Sequence, residues 1–222
     1  MNDYTGDKID RKTYGDFQLT NAIQLEENST IIPMQGYRVY TSNETMGVMI
    51  ASITRPKILD IFNECLDLFG KGAVVDVVLE TSHDRSQTPL ATSKISPNSD
   101  DDPYYSGTVD LPVLQSHLMD YDDLLLDDGC TGIAIRDNEK NDQFFVELDE
   151  HKLLEVRPWG VAMLEKILRR HGIPNRPHMK FIDAGKHTHD TTDNYRAQSQ
   201  ELAWKLGLIR FTSDGHPYED VE

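Results

Sequence analysis

Cysteine is scarce in this chain. Of 222 residues only Cys65 and Cys130 are cysteines. They form no CxxC pair and no zinc-type spacing, so a disulfide framework and a thiolate metal site are both excluded as organising features. No apolar run approaches the length of a membrane span, so no membrane-crossing segment is expected. The first 17 residues, MNDYTGDKIDRKTYGDF, hold no apolar stretch, and no signal peptide is expected there. Positive charge is also short: 22 Lys and Arg face 38 Asp and Glu, a formal charge of −16. Such a chain repels phosphate backbones and anionic membrane surfaces, which disfavours nucleic acid and membranes as partners. Free thiols and an acidic, polar composition point to the cytoplasm.

The apolar fraction, 38%, is enough for one buried core, with polar surplus left for long loops. Hydrophobic periodicity sets the expected organisation. Residues 1–20 are polar and read as an N-terminal arm, residues 21–210 as a single α+β domain, and residues 211–222 as a C-terminal tail. Tyr37 to Thr41 alternates and Gly47 to Ile53 is more apolar. Turn residues lie between them, which predicts a hairpin. Thr54 and Pro56 open a helix whose stripe is Ile58, Ile61, Phe62, Cys65, Leu66 and Phe69, and Gly70 and Gly72 stop it. Ala73 to Glu80 is a β-branched run that predicts a buried strand.

Residues 82–107 break every period, with three prolines and many serines and aspartates, and read as a long surface loop. Asp110-Leu111-Pro112 then opens a short helix. From 131 to 156 the pattern is a meander: Ile133 and Ile135 alternate, Phe144, Val146 and Leu148 alternate, and a short turn at 149–151 leads into a third strand. Helices follow at 158–171 and 192–206. The resulting class is α+β. An antiparallel or mixed sheet, made of a hairpin plus a three-stranded meander, has helices packed mainly on one face.

Several residue groups could carry function. The segment from Asp183 to Asp193 contains His187-Thr188-His189-Asp190. Alternate residues of an extended segment share one side, so His187 and His189 can share an ion, with Asp183 and the nearby His178 as further ligands. Imidazole and carboxylate suit a divalent transition metal such as Zn. Such a site needs other ligands from elsewhere in the chain, and spacing does not place them. The plainer account is a polar loop in which Asp190 or Thr191 caps the last helix.

His83-Asp84-Arg85-Ser86 follows a strand but has no nucleophile elbow, and reads as solvated loop. The aspartates at 120, 122, 123, 127 and 128 lack the ligand order of a calcium loop and read as solvated surface. Trp159 reads as the lock between a strand and a helix. Tyr104 and Tyr105, placed in the long loop, are the candidate contacts for a protein partner, with a basic partner favoured by charge.

Two functional expectations follow. The first is a non-enzymatic binding or regulatory protein with an acidic interaction surface and no cofactor. The alternative is a metal-dependent hydrolase using the His187/His189 segment.

Overall fold

The computed structural model describes residues 12–40, 47–82, 104–138, 144–158, 160–211 and 216–217. Its centre is one eight-stranded antiparallel sheet. The expected hairpin is β4 (Gly36–Tyr40) with β5 (Val48–Ser52), and the expected meander is β8 (Thr131–Asp137), β9 (Phe144–Leu148) and β10 (Leu153–Pro158). The two are not separate. β10 pairs with β5, so hairpin and meander run together, and β8 continues on its other side into β6 (Val74–Thr81). β7 (Tyr104–Asp110) and β12 (Ile209–Phe211) complete the order β12-β7-β6-β8-β9-β10-β5-β4.

Side chains alternate between the two faces of this sheet. Tyr37, Met49, Ala51, Val75, Val77, Leu79, Ile133, Ile135, Val146, Leu148, Leu154 and Val156 all point to one face and are buried. Against them pack α1 (Arg55–Leu66), α2 (Leu111–Asp120), α3 (Asp122–Asp127), α4 (Val161–Arg170) and α5 (Asp193–Lys205), through stripes such as Ile58, Ile61, Phe62 and Leu164, Ile167, Leu168. The helices therefore cover one face, as the periodicity predicts. Gly70 ends the first helical segment in a positive-φ conformation that glycine adopts without strain. No helix among the described residues is long and apolar enough to cross a membrane.

The opposite face carries a second, smaller layer. β1 (Thr13–Tyr14) and β2 (Phe17–Gln18) form a small hairpin, and β3 (Ile23–Leu25) pairs with β11 (His187–His189). With Met179, Phe181 and Ile182 they bury Phe17, Leu19, Ala22 and Ile23 against Leu153 and Ile50. Residues 12–20, expected as part of an arm, are thus packed structure, because Phe17 and Leu19 each supply an apolar anchor. Residues 1–11, 212–215 and 218–222 lie outside the described set.

Three local expectations change. Tyr104 and Tyr105 are not in a loop: β7 begins at Tyr104, where Tyr104 stacks on Phe211 and Tyr105 packs against the main core. Thr54 stands at the start of α1, but its hydroxyl accepts a hydrogen bond from the Gln18 amide at 2.8 Å instead of capping the helix. Asp127 and Asp128 are not solvated surface. Asp127, 4% exposed, receives two hydrogen bonds from the Arg55 guanidinium, at 2.9 and 2.6 Å, and one from the Asn21 amide at 3.0 Å. Asp128, fully buried, receives the Thr131 hydroxyl. Buried carboxylates persist when charge and hydrogen bonds compensate them.

Two outcomes follow for stability. Arg55→Met removes the guanidinium opposite a buried carboxylate and is expected to lower unfolding free energy by about 3 kcal/mol in urea titrations. Glu147 faces away from the helices, in register with Ala134 and Glu155. Burial, and then the charges of Glu80, Asp149 and Glu155, push its carboxyl up to about 8. The folded chain therefore holds this proton more tightly than the unfolded one. The group's contribution is fully present below the ordinary carboxyl range and is lost as pH rises through about 8. Glu147→Gln is expected to raise the melting temperature at pH 8 and to flatten its decline between pH 5 and pH 8, measured by calorimetry.

Candidate functional site: a three-histidine cluster

β11 pairs antiparallel with β3, placing His187 opposite Leu25 and His189 opposite Ile23. The strand period sends both imidazoles to one side while Thr188 is exposed. The end of this strand is fastened to the main sheet. The Asp190 amide donates to the Ala22 carbonyl at 2.8 Å, and the Gly129 amide donates to the Asp190 carbonyl at 2.7 Å. Gly129 is required there, since an added Cβ would collide with the Ala22 carbonyl and the Asp190 backbone.

A third imidazole comes from the turn between β9 and β10. His151 lies 4.9 Å from His189 and 5.0 Å from His187, centroid to centroid, and His187 lies 5.0 Å from His189. The three rings form a nearly equilateral triangle. One ligand-capable nitrogen from each lies within 4.8 Å of the others.

Each ring also has its Nδ1 engaged outside the triangle. His187 Nδ1 donates to the Gly185 carbonyl at 2.7 Å, and His189 Nδ1 donates to the Gly129 carbonyl. His151 Nδ1 donates to the Asp149 carboxylate at 3.3 Å. Carbonyl and carboxylate oxygens only accept, so each Nδ1 carries a proton, and in an uncharged ring Nε2 is left as the lone-pair nitrogen. The Nε2 atoms of His187 and His189 then face each other at 3.1 Å. Burial lowers the pKa of both rings, that of His189 to about 4, and the charge of His151 adds to this. Both shifts favour the uncharged rings, and with both Nδ1 atoms donating outward two lone pairs then face each other.

A cation placed between the two nitrogens would relieve that contact. Two Zn–N bonds of about 2.0–2.1 Å at a tetrahedral angle place their nitrogens about 3.3 Å apart. The outward hydrogen bonds are the type that orients metal-ligating histidines. His151 differs from the other two. Burial opposes its charge, but the Asp149 hydrogen bond and the charges of Asp149, Glu150 and Asp183 outweigh that and raise its pKa.

The turn that holds His151 is itself pinned. Asp149 Oδ1 accepts the Leu153 amide at 2.7 Å while Oδ2 takes His151, and the Lys152 amide donates to the Asp149 carbonyl at 3.0 Å. Glu150 is buried beside it, and burial pushes its carboxyl up to about 7. Below the turn, His151 and Lys152 line a cavity of about 20 Å³ with Phe17, Leu19 and Phe181, room for about one water. All three rings are half-buried.

Of the residues expected to hold a metal, His187 and His189 are together. Asp183 and His178 are both exposed and outside the group. Asp183, on the turn Ile182–Ala184, is still close enough for its charge to act on His151 and His187. His178 precedes Met179 in the irregular segment before that turn. His151 went unrecognised in the sequence, where it reads as a turn residue. Its only local sign is the Asp149-Glu150-His151 order, an acid two positions before an imidazole. The last helix is capped by Thr192, whose hydroxyl accepts the Tyr195 amide at 3.2 Å, and not by Asp190 or Thr191. His83, Asp84, Arg85, Ser86 and Trp159 lie outside the described residues.

Comparison with known protein families, with curated proteins and with solved structures finds no match.

Gly129 is where the β3–β11 ribbon meets the sheet. Gly129→Ala is expected to cost about 1–3 kcal/mol through overpacking. It should also speed amide exchange at Asp190 more than at residues of β6, as read by hydrogen–deuterium exchange.

Proposed function

We propose that this chain binds a divalent transition metal through His151, His187 and His189 and uses it to promote hydrolysis. The observation that carries the reading is the pair of Nε2 atoms 3.1 Å apart, each on a ring whose Nδ1 is committed to a backbone carbonyl. Three imidazole nitrogen donors, with His151 giving up its proton to the ion, suit Zn, Co, Ni or Cu and do not suit Mg or Ca, which take oxygen. Zn fits best by count, since catalytic zinc sites take three protein ligands and keep a fourth position for water, whose pKa the ion lowers.

The chain's own groups have distinct parts in this scheme. Gly185, Gly129 and Asp149 fix the tautomers. Asp183, exposed and acting through its charge on His151 and His187, would be the candidate carboxylate to accept a proton from water at the open position of a bound ion. The reading as a non-enzymatic binding or regulatory protein rests on the net charge of −16. Its aromatic anchors, Tyr104 and Tyr105, belong to the sheet, so the histidine triangle is the more specific feature.

Elemental analysis after loading the apo-protein with Zn is expected to give one ion per chain. His151→Ala, His187→Ala and His189→Ala should each remove it, and His178→Ala should not. Metal content that is substoichiometric and unchanged by all three substitutions would sink the metal reading. In the loaded protein, hydrolysis of an activated ester should vanish with chelator and return with Zn. Asp183→Asn should slow it about 100-fold with the ion retained. Full metal occupancy without any such turnover would leave binding in place and remove the hydrolase assignment.

A further inference from the structure

Lys152 is the one non-glycine residue with a positive φ, 61°, among the described residues. The left-handed position of a hairpin loop ordinarily goes to glycine or asparagine, because a Cβ crowds the following carbonyl. Strain of this kind persists where surrounding contacts over-determine it. The side chain of Lys152 supplies those contacts. It is 3% exposed, and its ammonium donates to the Thr131 carbonyl at 2.6 Å. Thr131 is held in turn by Asp128, which accepts its hydroxyl.

The stretch Asp128 to Thr131 thereby becomes a common reference for two ligands. His189 is fastened to it through the Gly129 carbonyl. The turn that carries His151 is fastened to it through Lys152. The spacing between His151 and His189 is set where these two attachments meet, at positions 129 and 131. Thr131 also begins β8 and pairs with Thr81 of β6, so the reference belongs to the main sheet.

We propose that Lys152 is a positioning residue of the histidine site, tying the His151 turn to Thr131 so that the third imidazole closes on the other two. This rests on the metal reading above. It makes a separate claim, that affinity and coordination geometry depend on a side chain that touches no ion.

The test uses the full chain and Co²⁺ as probe, with wild type, Lys152→Gly and Lys152→Met. Glycine suits the left-handed backbone but has no tether. Methionine keeps the apolar stem and removes the ammonium. For each variant that retains wild-type far-UV circular dichroism, Co²⁺ affinity should fall about 10–100-fold, the range seen when outer-shell partners of metal ligands are changed. The visible absorption of bound Co²⁺ should weaken as His151 is held off its wild-type position, whereas His151→Ala, which holds no ion, should show none.

A folded variant with wild-type affinity and spectrum overturns the proposal. If neither variant folds, nuclear magnetic resonance of the wild type decides. Saturation with Zn should shift the Lys152 ammonium and Thr131 carbonyl signals, and invariance of both overturns the proposal. A wild type that binds no Co²⁺ at all instead overturns the metal reading, and this inference goes with it.

Discussion

Alternation along the eight-stranded sheet imposes the division on which the rest of the molecule depends. Every second residue of the central strands must face the helices, and there the side chains are almost all aliphatic. Polar and charged residues, among them Asp76, Glu147, Glu155 and Arg157, are forced onto the other face. That face cannot be covered by another helical layer without burying these groups at a cost of several kcal/mol each. It is instead covered in part, where Leu153 and Ile50 offer apolar surface, by the ribbon of β3 and β11 and the β1–β2 hairpin. The histidine triangle lies at the margin of this partial cover, which is why its rings are neither dry nor fully solvated.

The same margin concentrates the chain's buried polar groups. Asp128, Thr131, Glu150 and Lys152 are buried within a few residues of the triangle. Arg55 and Asp127 pair just beyond them, at the junction of α1 and α3. Away from this end the core described by the helices and the sheet is apolar. The compensated charges therefore lie beside the convergent set of imidazoles.

Much of the fold was legible because it is local. The stripe from Ile58 to Phe69 and the alternation of Phe144, Val146 and Leu148 each state their own periodicity. The few residues between Asp137 and Phe144 and the short turn at 149–152 leave neighbouring strands no choice but to pair. β7 was hidden because its sequence, YYSGTVD, follows directly on a proline- and serine-rich stretch and carries little aliphatic signal. The strand order from β12 to β6 depends on contacts between distant residues, which no local window contains. Asp127 and Asp128 looked solvated because the burial of an acid is decided by its partner, and Arg55 lies 72 positions earlier. The site was half legible for the same reason. His187 and His189 announce themselves by spacing, whereas His151 joins them only through the pairing of β3 with β11 and the docking of that ribbon on Gly129.

That pairing has a consequence for the order in which the molecule can be built. Gln24 in β3 and Asp190 after β11 meet across a separation of 166 positions. While the chain emerges from a ribosome, β3 has no strand to join until the segment near residue 187 has been made. Seven of the eight strands of the large sheet can already be paired by then, since β4 to β10 end at Pro158. The imidazole triangle is thus a late event of biosynthesis, completed on a sheet that lacks only its edge strand β12, and a nascent chain halted before that segment would carry His151 alone of the three.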